Sequence, residues 1–155
     1  MSRSPHLALA AMLAVLPTIA SASDVPAPAP ADTSGECLAN YVQTGNFFSG
    51  RNMRTSARLP GTAQSTAYSR VYGSMARRGY QIESSEREAG VISASQPVSM
   101  SEKKVPINIV VVPESDSDSS ITVSVNLPGG LSSSKEAIQK ELCSIIADAA
   151  GAPAN

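Results

Sequence analysis

Residues 51–61, RNMRTSARLPG, place Met53, Thr55, Ala57 and Leu59 on one parity and Asn52, Arg54, Ser56 and Arg58 on the other. A period of two predicts a strand with one buried face and one wet, basic face. Pro60-Gly61 ends it, and the period then becomes helical. Thr62 stands where an N-cap is expected, Ala67, Val71 and Met75 recur at i, i+4 spacing beside a row of Tyr68, Tyr72 and Ala76, and Gly79 follows Arg78 as the C-terminal stop. Alternation returns at Tyr80 and Ile82 against Gln81 and Glu83, and at Ile92 and Ala94 against Ser93 and Ser95, which predicts a hairpin with one wet face. Its corner, Glu86-Arg87-Glu88 before Ala89-Gly90, reads as a solvated turn rather than a site.

Residues 105–113, VPINIVVVP, predict a more uniformly apolar strand, and residues 120–128, SITVSVNLP, one with Ile121, Val123, Val125 and Leu127 inward; the acidic loop between them closes a second hairpin. Ser133 and Glu136 have capping-box spacing for a last helix, whose Ile138, Leu142, Ile145 and Ala149 form one apolar stripe ending at Gly151. The sum is an α+β domain: a curved antiparallel sheet of about five strands with two helices on one face, in the order β-α-β-β-β-β-α.

The segment before this domain changes the picture of where it works. Arg3 precedes an apolar stretch from Leu7 to Ile19 that closes on Ala20-Ser21-Ala22, the small-x-small pattern of a signal peptidase site, so residues 1–22 read as a cleaved signal peptide. The stretch is about 13 residues, short of the roughly 20 a membrane-spanning helix needs, and no stable membrane span is expected. Residues 23–36 alternate proline with alanine and then turn polar, as a linker does. Residues 37–151 form a single domain and 152–155 a tail. Cys37 and Cys143 stand near the two ends of that domain; in an exported chain the preferred reading is a disulfide, with two buried thiols as the alternative. The location expected is periplasmic or secreted.

With these elements in place, the run GYQIESSEREAGVISAS at residues 79–95 resembles a group of small uncharacterised exported proteins of Gram-negative bacteria. It is also similar to the helix-grip domains of the outer-membrane-assembly lipoprotein BamC. The resemblance spans roughly residues 50–149 and implies a helix-grip-like fold and an envelope location. It carries no catalytic signature, and the chain has no lipid-attachment cysteine where its signal ends.

Composition removes much chemistry. The only histidine, His6, lies in the segment expected to be cleaved, which excludes histidine-based triads, Cys-His pairs and the usual zinc sites. Ser132-Ser133-Ser134-Lys135 has the Ser-x-x-Lys spacing of a serine-lysine hydrolase but lacks the companion Ser-Asp-Asn and Lys-Thr-Gly elements; Ser101 to Lys104 repeats the spacing in a loop. Glu114, Asp116 and Asp118 alternate like the start of a calcium loop, yet Ile121 and Leu127 replace its turn glycine and bidentate glutamate. No catalytic residue, metal or cofactor is expected.

Charge is the one lopsided property. Every charged residue from Arg51 to Arg78 is positive, whereas residues 83–118 are mostly acidic. If the strand face and the first helix lie together, Arg54, Arg58, Arg70 and Arg77 would make an anion-binding patch for an acidic protein or an anionic surface component of the envelope. Nucleic acid is disfavoured by export and by a chain with no tryptophan and two phenylalanines. The function expected is a non-catalytic exported envelope protein, a binding or structural module. The alternatives are a protein inhibitor or immunity factor, a small-molecule carrier with a cavity between helix and sheet, and a Ser-Lys hydrolase.

Overall fold

The computed structural model describes residues 33–99 and 103–152. The signal segment 1–22, residues 23–32 of the linker and Ser101 lie outside the described residues. The described chain is α+β. Its elements are α1 (Thr33–Ala39), β1 (Val42–Asn46), β2 (Gly50–Leu59), α2 (Gln64–Arg77), β3 (Gln81–Glu86), β4 (Val91–Pro97), β5 (Lys104–Pro113), β6 (Ser119–Leu127) and α3 (Lys135–Ala150). The six strands form one antiparallel sheet in the order β1-β2-β6-β5-β4-β3.

Relative to the expectation of about five strands and two helices, β1 and α1 are additional. Both are short and lack a clean apolar period, and all five residues of β1 are exposed. α1 also takes in residues 33–36, where the linker is expected. Cys37 explains that extension, because its disulfide to Cys143 ties α1 onto α3 with Cα atoms 5.7 Å apart.

Alternation places the core on one side of the sheet. Register stacks Met53 beside Val125, Ile107 and Ala94, and Thr55 beside Val123, Ile109 and Ile92, all buried beneath the helices. Ala67, Val71 and Met75 of α2, with Leu142, Ile145, Ile146 and Ala149 of α3, bury against them. Of the second row on α2, only Tyr68 is buried; Tyr72 is 40% exposed, because the two helices leave that flank uncovered. The opposite sheet face is small and polar, with Arg54 level with Ser124, Asn108 and Ser93.

Two expected caps move. α2 starts after Ala63, which has no side-chain cap bond, while Thr62 is buried with its carbonyl accepting from the Ser119 hydroxyl. α3 is capped by Ser134, whose Oγ accepts from the Ala137 N–H at 3.1 Å; the Ser133 carbonyl instead accepts from Arg51. The helix ends are as expected: Gly79 (φ +80) follows α2, and Gly151 (φ +82) closes α3.

The Glu86-Arg87-Glu88 corner is pinned to α2. Arg87 lies over the Tyr68 ring at 5.3 Å, donates to Ser69 Oγ and lends its carbonyl to the Gln64 amide. Gly90 is required there, since a Cβ would sit 2.0 Å from the Val111 carbonyl oxygen.

Candidate functional site

The first question is where the four arginines fall. Arg54 and Arg58 project from the exposed parity of β2, whose other parity is buried under the helices. Arg70 and Arg77 belong to α2, on the covered side of the sheet. The four therefore divide between the two sides and form no single guanidinium patch. Arg70 has structural work: its Nη1 donates to the Ala150 and Ala149 carbonyls at 3.0 and 3.4 Å, closing the end of α3. Arg77 is exposed at the end of α2.

The other motifs are likewise dispersed. Ser132 precedes the α3 N-cap, so no helical turn sets it against Lys135, whose ammonium lies over the Tyr41 ring at 5.6 Å. Asp118 accepts from the Gly61 N–H at 2.7 Å and from Ser115 Oγ at 2.8 Å. These bonds, the Gly61 amide first, hold its carboxyl below the ordinary range. Lys104 pairs with Glu83 at 3.8 Å.

What does converge is a cavity between α3 and the far end of the sheet. Ten residues of β5 extend ~33 Å, whereas the fourteen of α2 cover only ~21 Å. The strand outruns the helix, and apolar side chains at that end are left for α3 and the 128–134 loop to roof. Glycine sets how the loop lies: Gly129 approaches the Phe48 carbonyl so closely that a Cβ would be 2.2 Å away, and the Gly130 N–H donates to the Phe47 carbonyl at 2.8 Å.

The resulting cavity measures about 240 Å³. Val105, Ile107, Val125 and Leu127 form its sheet wall; Leu131, Ile138 and Leu142 face them. Polar groups gather at one end, where Tyr80, Gln96, Ser133 and Glu141 are shared with a shallower depression of about 430 Å³ that also reaches Arg78.

The mouth is organised by Arg78. Its guanidinium pairs with Asp148 Oδ2 at 2.8 Å and Glu141 Oε1 at 3.0 Å, and donates to the hydroxyls of Ser74 and Ser144. Ser74 also donates to Asp148. Tyr80 donates to Glu141 Oε1 at 3.3 Å. Burial, reinforced by the neighbouring Glu141 charge, pushes the Tyr80 phenol up to about 12. A spectrophotometric titration should therefore show one tyrosine ionising near pH 12, lost in Tyr80→Phe. Because the folded state favours the protonated phenol, stability should hold below pH ~10 and fall as pH rises from there toward 12. A titration unchanged by Tyr80→Phe in the region near pH 12 would contradict this.

Sequence alone did not reveal this cluster. Glu141 borders the Ile138/Leu142/Ile145 stripe, a faint signal, but its meeting with Arg78 joins residues 63 apart in the chain.

Fold and site together define an α+β sheet-and-helix domain with an apolar cavity and a polar mouth. No protein-family model and no curated protein matches the chain. Among solved structures it is similar to the conserved protein of unknown function EF2215 from Enterococcus faecalis, with 7% identity, coverage of 75% of this chain and 78% of that one, and a TM-score of 0.49.

Proposed function

We propose that this chain is a non-catalytic exported binding module of the cell envelope, and that its ligand is a small molecule held between α3 and the sheet. The observation that carries the reading is the cavity of about 240 Å³, walled by apolar side chains and polar at one end. Concave, mostly apolar sites with a few placed polar groups are where small ligands bind; this volume lies just below the roughly 300–1,000 Å³ of drug-sized sites, so the ligand is small. The Cys37–Cys143 bridge supports an exported working place, where disulfides form and persist. The N-terminal signal pattern and the helix-grip resemblance read from the sequence support the envelope part of this reading.

Calorimetric titration with 1-octanol tests it. We expect saturable binding with a negative heat-capacity change, removed by Leu131→Trp, which fills the cavity from its half-buried loop position. Val98→Phe, at another residue lining the cavity, should do the same, and both variants should melt close to wild type. Octanol binding that persists unchanged in both filled variants, or none in the wild type, would sink the reading.

A further inference from the structure

One guanidinium, Arg78, faces two carboxylates, Glu141 and Asp148, of which only Glu141 lines the cavity and its mouth. Arg78 is engaged on both and on two hydroxyls, so it has little left for an incoming anion. Asp148 is turned to Arg78 and Ser74 and is only 16% exposed. Glu141 differs. Its Oε1 accepts from both Arg78 and Tyr80, whereas Oε2 accepts from none of the described residues; the side chain is 41% exposed and lines both the cavity and its mouth.

The remaining groups do not reverse this balance. Tyr80 is a neutral donor already directed at Glu141. Lys104 is paired with Glu83, Lys103 donates to the Gly129 carbonyl at 2.7 Å, and Arg51 donates to the Ser133 carbonyl. None of these three cations lines the cavity or the depression.

We infer that the ligand is a cationic amphiphile, a protonated amine on a short apolar body, with the body between Ile107, Leu127 and Leu142 and the ammonium on Glu141 Oε2. The inference rests on the cavity being a binding site. Its physical basis is that an ammonium at an apolar rim gains a charge-assisted hydrogen bond that water screens less than on an open surface. An anionic head would meet the Glu141 carboxylate and find the Arg78 guanidinium already engaged.

Titrations with octylamine, 1-octanol and octanoate at neutral pH test the choice of head group on one apolar body. Octylamine should bind about tenfold tighter than octanoate, with octanol between, and added salt should weaken the amine but not the alcohol. Glu141→Gln should bring amine and alcohol within about twofold of each other. Gln96→Lys, at an exposed position on the mouth, should shift preference toward octanoate without touching the Arg78 network. Octanoate equal to or tighter than octylamine, or an amine preference that survives Glu141→Gln, overturns the inference and leaves the cavity reading standing. Failure of all three to bind overturns both.

Discussion

Replacing Cys37 and Cys143 together by serine should lower the melting temperature by roughly 10–20 °C, the largest single effect expected in this domain. The bridge spans 106 residues of sequence. In the chain-entropy account, closing a loop of that length constrains the unfolded chain by about 4–5 kcal/mol, an upper figure because residual structure in the reduced unfolded state lessens it. The native side of the balance points the same way. α1 has only seven residues, too few to persist on its own, and is held by the bridge and by the Thr55 hydroxyl donating to the Cys37 carbonyl. The variant should therefore lose α1 before the sheet opens. Thermal melts of wild type and Cys37→Ser/Cys143→Ser, with hydrogen exchange across residues 33–39, check both parts. A melting point unchanged within a few degrees would show that the tether adds nothing.

The second large effect is expected at Arg78. Arg78→Met should cost about 2–4 kcal/mol, because removing one member of a largely buried ion pair leaves the other carboxylate desolvated and unpaired. Asp148 is the partner that suffers, being the less exposed of the two carboxylates, at 16% against 41% for Glu141. The discriminating measurement is a double-mutant cycle by urea unfolding. Asp148→Asn in the Arg78→Met background should recover much of the loss, whereas Glu141→Gln should recover little. Additive effects of Arg78→Met and Asp148→Asn would mean that the pair is not coupled.

The legible part of the fold was that governed by local period. The parity of β2 and β6, the α2 and α3 stripes and the glycine stops at 79 and 151 all follow from residue spacing. β1 was invisible because Val-Gln-Thr-Gly-Asn has no alternating burial to announce it; it exists because the Phe47–Ser49 turn folds it back on β2. The N-caps fall one residue after Thr62 and Ser133, at Ala63 and Ser134, while the Thr62 and Ser133 carbonyls accept from the Ser119 hydroxyl and from Arg51, partners that no local rule contains. The cavity was hidden for a deeper reason. It depends on β5 being longer in space than α2 and on contacts between Arg78 and α3, neither of which any sequence window contains. Charge lopsidedness, by contrast, was plain in the sequence, yet topology sends Arg54 and Arg58 to one side of the sheet and Arg70 and Arg77 to the other.

The most direct test of the cavity's role is isotope-filtered nuclear Overhauser spectroscopy on the labelled protein with unlabelled 1-octanol. Contacts from the octyl chain to the methyl groups of Val105, Ile107, Val125, Leu127, Ile138 and Leu142 are the predicted result. Contacts confined to the exposed apolar residues Leu38, Phe47 and Phe48, outside the cavity, would contradict it.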